Sequence, residues 1–188
     1  MSAPHGDPGP LPLTQNDRKA RFDAIFDAHL QAELAGDLDR TLATMAPQPH
    51  LVNVPTMVGG QGPRGVRTFY ARRLIGQFFP PDVRFETVSR TYGEDRLVDE
   101  LIISFTHTIR MDHILPGVEP TGKWVEAVFV VIVGIEDDKV AYEHIHWDQA
   151  SVLVQLGLLD PTGLPVVGAG AAAKLRNPSL PDPFFQEG

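Results

Sequence analysis

Between residues 84 and 147 the sequence runs in long stretches of alternating apolar and polar residues, and this pattern restricts the fold more than any other feature. Alternation with a period of two is typical of β-strands that bury one face. Because short turn segments separate the stretches, neighbouring strands are expected to pair antiparallel. The predicted strands are 84–92, 97–115, 124–135 and 140–147.

The stretch 97–115 is too long for a single strand, so we expect it to bend or to contain a bulge. Between residues 101 and 111 its odd-numbered positions are apolar except for His107, whereas its even-numbered positions are mostly polar. The odd face is therefore predicted to point inward and to take His107 with it.

Three helices are predicted before these strands. The first begins at Thr14-Gln15-Asn16-Asp17, which is a capping box with Asp in place of Glu, and ends at Gly36. Asp37 caps a second, short helix and Pro63 begins a third, with a short strand at 50–54 between them. Helices followed by a meander predict an α+β fold: a strongly curved, mainly antiparallel sheet packed on about three N-terminal helices, with a cone-shaped pocket beneath the first helix.

Composition excludes several classes of function. The net charge of −8 repels phosphate backbones, so nucleic acid is not an expected partner. The absence of cysteine excludes disulfides, thiolate metal sites and a cysteine nucleophile. No apolar stretch approaches the ~20 residues of a membrane helix, and the first residues lack the pattern of a signal peptide. We therefore expect a cytoplasmic protein that does not bind membranes.

The two ends of the sequence differ from its middle. Residues 1–13 contain four prolines and two glycines and are predicted to be a flexible lead-in. Residues 161–188 contain five prolines and a run of small residues, and are predicted to be an extended tail. The folded domain is expected to span residues 14–160.

The densest group of ionisable residues lies in the last predicted strand. Alternation divides it into two faces, Tyr142, His144, His146 and Asp148 on one and Glu143, Ile145 and Trp147 on the other. An imidazole and a carboxylate from the first face would suit acid/base catalysis, because an apolar pocket raises the pKa of a carboxylate. Alternatively, Asp148 caps the helix predicted after it. A register shift of one residue would exchange the two faces.

His29 and Glu33 lie four residues apart on the apolar face of the first helix, so both are expected to point toward the sheet. They could form a buried hydrogen-bonded pair or the ceiling of the pocket. A zinc or iron site that includes the strand histidines is a third interpretation. No tight spacing of ligands such as HExxH supports it, so we predict no metal.

Four further residues are candidates for contact with a ligand. Asn53 could orient a ligand carbonyl or satisfy the backbone at a strand end. Glu126 interrupts an otherwise apolar strand and is either a pocket carboxylate or the partner of an arginine. Tyr70 and Trp147 are expected to pack in the core and to contribute to the cavity wall.

Several segments, in the same order over residues 15–160, resemble the SnoaL-like family, the polyketide cyclase-like branch of the nuclear transport factor 2 fold. They are Glu33–Asp39 (ELAGDLD), Phe105–Thr108, Leu115–Gly117, Pro120–Lys123, and Glu143–Asp148 followed by Gln155–Gly157. The resemblance implies an α+β barrel that is usually a homodimer, with a hydrophobic pocket and neither a metal nor an organic cofactor. The proline-rich tail and the many histidines of the last strand depart from the pattern of the small cyclases.

In the related polyketide cyclases an aspartate near the end of the last strand acts as acid and base, and Asp148 fits this position. The resemblance also implies His107 as a pocket partner and Asn53 as a substrate contact. We therefore predict a cofactor-free acid/base enzyme of cyclase, isomerase or lyase type acting on a small, largely apolar carbonyl compound. His107, with His144 or His146, would polarise the carbonyl or tune the carboxylate of Asp148. The alternatives are a non-catalytic small-molecule-binding or dimerisation domain, and a hydrolase of an epoxide or lactone.

Overall fold

The computed structural model describes residues 14–185; residues 186–188 and the predicted lead-in at 1–13 lie outside the described residues. The helices are α1 (Gln15–Leu34), α2 (Leu38–Ala43), α3 (Gly62–Phe69), α4 (Gln149–Gln155) and α5 (Gly170–Arg176), and α3 continues into a π-helical turn at Tyr70–Leu74. The strands are β1 (Met45–Asn53), β2 (Val58–Gln61), β3 (Arg84–Tyr92), β4 (Arg96–Thr106), β5 (Trp124–Glu136) and β6 (Lys139–Trp147). Within this part of the chain, no helix is long and apolar enough to cross a bilayer.

The six strands of residues 14–185 form one sheet in the order β2-β1-β6-β5-β4-β3. Neighbouring strands are antiparallel except for β1 and β6, which run parallel. The register shifts between Thr87 and Ser89 in β3 and between Gly134 and Ile135 in β5. Such irregularities bend a strand and increase its twist. The predicted α+β fold with a curved, mainly antiparallel sheet is confirmed.

Helix α1 begins as the sequence predicts. Thr14 Oγ1 accepts a hydrogen bond from Asp17 N at 3.1 Å, and Asp17 Oδ2 accepts one from Thr14 N at 3.2 Å, which completes the capping box. The buried residues of the helix recur at three- or four-residue spacing: Phe22, Phe26, His29, Ala32 and Glu33. This face therefore carries two ionisable side chains, those of His29 and Glu33, into the interior.

The strand predicted at 97–115 ends earlier, because β4 stops at Thr106 and residues 107–123 form an irregular loop. His107 N donates to Lys123 O at 2.8 Å and closes the base of this loop. Within β4 the predicted inward positions are buried, namely Leu101, Ile103 and Phe105. The prediction fails beyond the strand because the alternation of residue types continues where the backbone no longer pairs with a neighbour.

The C-terminal segment, predicted to be extended, contains a helix at residues 170–176. A run of three alanines with high helix propensity accounts for this difference. Both α4 and α5 contact β5. Arg176 Nη2 lies 2.7 Å from Glu86 Oε2 and 2.7 Å from Glu126 Oε2, so ion pairs hold α5 against the convex face of the sheet.

Candidate active site

A cavity of about 140 Å³ lies between α1, α3 and the concave face of the sheet. Its lining is mostly apolar and includes phenylalanine rings from helices, strands and loops: Phe26, Phe69, Phe78, Phe79, Phe85 and Phe129. An apolar cavity of ~150 Å³ in another protein stays dry and binds benzene. The volume here therefore suits a molecule with a single ring.

Polar side chains interrupt this apolar lining at several points. They are Glu33, Asn53, Thr87, Arg90, Asp99, His113 and Glu143. Strand register explains why several face the same space, since Asn53 pairs with Ile145 across β1 and β6, and Arg90 pairs with Asp99 across β3 and β4. Two polar groups of different character result, one around His29 and the other around Arg90.

His29 is fully buried on α1 and is held in a single orientation. Its Nδ1 atom lies 2.6 Å from Thr44 Oγ1, and the hydroxyl of Thr44 donates to Thr41 O, also at 2.6 Å. Because Thr44 uses its only hydrogen in that bond, Oγ1 must accept the Nδ1 proton of His29. The Nε2 atom is therefore the ring nitrogen that remains for chemistry.

The Nε2 atom of His29 meets three oxygen atoms. It lies 3.1 Å from Tyr70 Oη, 3.3 Å from Glu33 Oε1 and 3.4 Å from Glu143 Oε2. Tyr70 Oη also donates to Glu143 Oε2 at 3.3 Å. All four side chains are buried. We call His29, Glu33, Tyr70 and Glu143 the buried cluster; its two glutamates line the cavity.

The environment of the buried cluster changes the ionisation of its members. Burial opposes the charge on His29, but the carboxylates of Glu33 and Glu143 outweigh it and raise the pKa of His29 to about 10. Burial also raises the pKa of Glu33, against the attraction of His29. Burial and the two glutamates raise the pKa of Tyr70, so its hydroxyl keeps its proton. The cluster therefore combines an imidazole that favours its charged form with a carboxyl group whose pKa is raised, and the charge of each affects the proton affinity of the other.

A metal ion could occupy the same space by distance alone. The nearest donor atoms of His29, Glu33 and Glu143 lie within 4.8 Å of one another, and imidazole with carboxylates suits zinc or iron. A protonated imidazole, however, has no lone pair for a metal. Because the pKa of His29 is about 10, a proton is the expected occupant at neutral pH.

The second polar group is an ion pair around Arg90. Arg90 Nη2 donates to Asp99 Oδ2 at 2.6 Å, and Arg90 Nη1 donates to Asp23 Oδ1 at 2.7 Å. Tyr92 Oη donates to the same Asp23 oxygen at 2.6 Å. The hydrogen bonds that Arg90 donates to Asp99 and Asp23 raise the pKa of Arg90, although burial opposes this. These charges are paired with one another, which favours a structural role over a chemical one.

A family model for the SnoaL-like domain matches residues 26–143, which is more than half of the chain. The chain belongs to the SnoaL-like domain family. The matched range contains every residue of the buried cluster. It ends at Glu143, five positions before the aspartate that the sequence favoured as catalyst.

Solved structures share the fold of this SnoaL-like domain at low sequence identity. A putative SnoaL-like polyketide cyclase from Jannaschia sp. CCS1 has a TM-score of 0.60 at 16% identity, covering 79% of this chain and 100% of its own. AclR, a putative hydroxylase from Streptomyces galilaeus, has a TM-score of 0.55 at 22% identity, covering 76% of this chain and 99% of its own. IdmH, a putative polyketide cyclase from Streptomyces antibioticus, has a TM-score of 0.54 at 19% identity, covering 72% of this chain and 97% of its own. No curated protein matches the chain significantly.

Asp148, the acid/base residue implied by the SnoaL-like resemblance, caps α4 and does not line the cavity. Its Oδ1 atom accepts from Ala150 N at 3.0 Å and from Ser151 N at 3.2 Å. Its Oδ2 atom accepts from Ser151 Oγ at 2.6 Å. The side chain is exposed to solvent. The expected position of Asp148 in the pocket is therefore wrong, and the capping alternative describes it.

Strand β6 turns its other face to the cavity, and not the face with the histidines that the sequence favoured. Glu143 and Ile145 line the cavity, whereas His146 is exposed and His144 Nε2 lies 3.0 Å from His50 Nε2 outside the cavity lining. Trp147 is buried on the same face of the strand as Glu143 and Ile145. It stacks on Phe129 and donates from Nε1 to Gln149 Oε1 at 2.6 Å, so it packs behind the cavity wall. Hydrophobic burial of Ile145 and Trp147 sets the register and turns Glu143 inward.

Two other candidates also lie away from the cavity lining. His107 is fully buried in the loop after β4, and its Nδ1 accepts from Thr121 N at 3.3 Å, so it holds the loop together. Glu126 pairs with Arg176 at 2.7 Å on the convex side of the sheet. Of the two roles predicted for Glu126, a pocket carboxylate or the partner of an arginine, the second is correct.

The remaining candidates reach the site. His29 and Tyr70 belong to the buried cluster, and Asn53 lines the cavity while its Nδ2 donates to Val58 O at 3.1 Å. The sequence analysis missed the role of Glu143 and gave no role to Asp99 or His113. Glu143 could have been found by weighting the apolar members of its face, Ile145 and Trp147, above the histidines of the other face. His113 lies in irregular structure, where no periodic signal marks it.

Proposed function

We propose that this SnoaL-like domain is an enzyme that moves protons on a small, largely apolar carbonyl compound, without an organic cofactor or metal. The buried cluster takes the place that the sequence analysis gave to Asp148. One observation carries the proposal: two buried glutamates, joined by a cationic histidine and a tyrosine, open onto an apolar cavity.

Glu143 is the group suited to act as the base. Its Oε2 atom lies 3.4 Å from His29 Nε2 and accepts a hydrogen bond from Tyr70 Oη at 3.3 Å, so both groups hold the carboxylate in place. Within residues 14–185 the hydrogen bonds of the cluster reach only Oε2, which leaves Oε1 for a ligand. Glu143 can therefore take a proton from a carbon next to a carbonyl group; the C–H electron pair becomes the C=C bond of the enolate, and the π electrons of the carbonyl group move to its oxygen.

Glu33 is the group suited to act as the acid. Burial raises its pKa above the usual value of a glutamate, which is the direction that a donor of a proton to the developing oxyanion needs. Two carboxyl groups with different environments in one site are the usual arrangement for an acid and a base. His29 contacts both glutamates and fixes their positions relative to each other, which makes it a positioning residue.

The cavity completes the conditions for this chemistry. Its apolar walls exclude water, which strengthens electrostatic interactions inside and protects an enolate from competing reactions. The structural neighbours that carry the description of polyketide cyclases support carbonyl chemistry by analogy of fold. Isomerisation and ring closure both begin with the same proton transfer.

The test follows the exchange of α-protons for deuterium by NMR, using a panel of cyclic ketones and 1,3-diketones in D₂O. The wild-type protein should accelerate exchange of at least one compound above the buffer rate. Glu143→Gln, which preserves size, should reduce that acceleration by about 100-fold or more. Asp148→Asn is the matched control, because Asn also caps helices well, and it should exchange like wild type.

The outcomes separate the proposal from its alternatives. Saturable binding of panel compounds without any acceleration of exchange would favour a non-catalytic binding domain. Acceleration that survives in folded Glu143→Gln would reject Glu143 as the base. A matching thermal midpoint for the wild type and both variants shows that lost exchange is not lost folding.

A further inference from the structure

His113 lies in the loop after β4, lines the cavity and takes no part in the proposed proton transfer. It is 3% exposed. Its ring contacts aromatic neighbours, with centroid distances of 5.8 Å to Phe78 and 5.7 Å to Phe79. A polar ring in such surroundings normally finds a hydrogen-bond partner.

Neither ring nitrogen of His113 makes a hydrogen bond of normal geometry with the described residues, although the Arg73 backbone is near enough to oppose the lowering of its pKa. The neighbouring carboxylate of Asp112 is already used, since it accepts from Arg110 Nε at 3.0 Å and from Gly117 N at 3.1 Å. His107 Nε2 is also buried without a partner in residues 14–185, but His107 does not line the cavity and its other nitrogen is bonded to Thr121. Within residues 14–185, His113 is therefore the histidine that both lines the cavity and has two ring nitrogens without a hydrogen-bond partner.

We propose that His113 recognises a second, neutral oxygen group of the ligand, a hydroxyl or a carbonyl, remote from the group that meets Glu33 and Glu143. The ligand class is then a neutral, ring-sized compound with two oxygen substituents. The placement of the first oxygen group at Glu33 and Glu143 rests on the proposed function. The contact of the second oxygen group with His113 does not require catalysis.

The charge state of His113 favours a neutral group over an anion. Burial lowers the pKa of His113 to about 3, against opposing effects of the Arg73 backbone and the charge of Asp112. A neutral imidazole offers one donor and one acceptor, which match a hydroxyl or a carbonyl. A carboxylate or phosphate at this position would be a buried charge without a cation, which is strongly unfavourable.

The experiment measures dissociation constants by NMR titration for benzene, phenol, resorcinol and hydroquinone. The first hydroxyl can meet the glutamates, and the second can reach His113 in one of the two diols. In wild type the better diol should bind about tenfold more tightly than phenol, because the added hydroxyl satisfies a buried polar group. In His113→Leu this advantage should fall to about twofold or less, while the ratio of phenol to benzene stays unchanged.

His113→Gln retains a donor and an acceptor and should keep part of the diol advantage. A measurement on wild type alone guards against a misfolded variant: the ¹⁵N shifts of the His113 ring should change on saturation with the better diol. Unchanged shifts, an undiminished advantage in folded His113→Leu, or failure of all four probes to bind at millimolar concentration would each overturn the proposal. Loss of α-proton exchange with the diol result intact would instead reject only the proposed function.

Discussion

His29 Nε2 lies 3.3 Å from Glu33 Oε1, one helical turn away on the buried face of α1. On a helix surface such a pair contributes only a few tenths of a kcal/mol, because water screens the charges. Here both side chains are inside, and a second carboxylate, that of Glu143, lies 3.4 Å from the same nitrogen. The pair therefore belongs to a buried network whose proton content controls both stability and reactivity.

The stability of the protein should fall as pH rises from about 6.5 to about 10. The pKa of His29 is about 10 in the folded protein and 6.5 when the residue is free, so folding favours the protonated form. This stabilisation is complete below pH 6.5 and is lost as pH rises through the folded pKa. We expect the free energy of unfolding to decrease by up to about 1.4 kcal/mol per pH unit in this window. Urea unfolding at a series of pH values measures it.

The control for this pH dependence separates His29 from its neighbours. Glu33 also has a raised pKa, so it contributes a loss of stability that begins lower, above its free value of 4.5. His29→Asn should remove the part of the slope between pH 6.5 and 10 that His29 contributes, and the slope that remains belongs to Glu33. The variant should also lower stability at pH 6 by about 3–5 kcal/mol, since it leaves two buried carboxyl groups without a cation. His146→Asn, at an exposed position, should keep the slope. An equal slope in both variants would contradict the assignment.

Glu33→Gln should lower the pKa of His29. Burial pushes this pKa down, and the charge of Glu33 is the largest of the effects that raise it. Removing that charge while preserving the shape of the side chain leaves only Glu143 to stabilise the imidazolium. NMR titration of the His29 ring in wild type and variant measures the change, and Asp148→Asn, remote from the cluster, should show the wild-type value.

Strand alternation and helix caps were enough to predict the architecture. The capping box at Thr14 and the inward positions of β4 follow from short-range rules that burial reinforces. The end of β4 could not be predicted, because the loop 107–123 keeps an alternating pattern while its backbone bonds are made elsewhere. Helix α5 was not predicted either, because the prolines on both sides of it indicate an extended segment.

The site was predicted only where side chains sit on α1, α3 and β1. Helical spacing placed His29 and Glu33 together, and the structure adds Tyr70 through the π-helical turn after α3. The catalytic interpretation of β6 chose its histidine face, although a strand turns its apolar residues toward the core. Because Glu143 shares its face with Ile145 and Trp147, the hydrophobic pattern was the better guide to the carboxylate.

Gly134→Ala should destabilise the protein by about 1–3 kcal/mol, the usual range for forcing an extra methyl group into filled space. A Cβ atom at Gly134 would lie 2.0 Å from Tyr142 Cε1. The ring of Tyr142 cannot move aside easily, because it lies 5.0 Å from the ring of His50 and 4.8 Å from that of His144. Thermal unfolding measures the effect. The double variant Gly134→Ala/Tyr142→Ala should lose less stability than the sum of the losses of the two single variants, because the ring that clashes is gone.

Zinc should not stabilise the wild-type protein, and a chelator should not change its α-proton exchange. A metal and a proton compete for His29 Nε2, which lies within reach of both glutamates and carries the proton at neutral pH because the pKa of His29 is about 10. A metal must displace that proton before it can bind. As pH rises toward 10 this competition weakens, so any zinc-dependent rise in thermal midpoint should appear there first and should vanish in His29→Asn. A stoichiometric rise at pH 7 in wild type would show that the cluster holds a metal rather than a proton and would replace the proposed acid/base assignment.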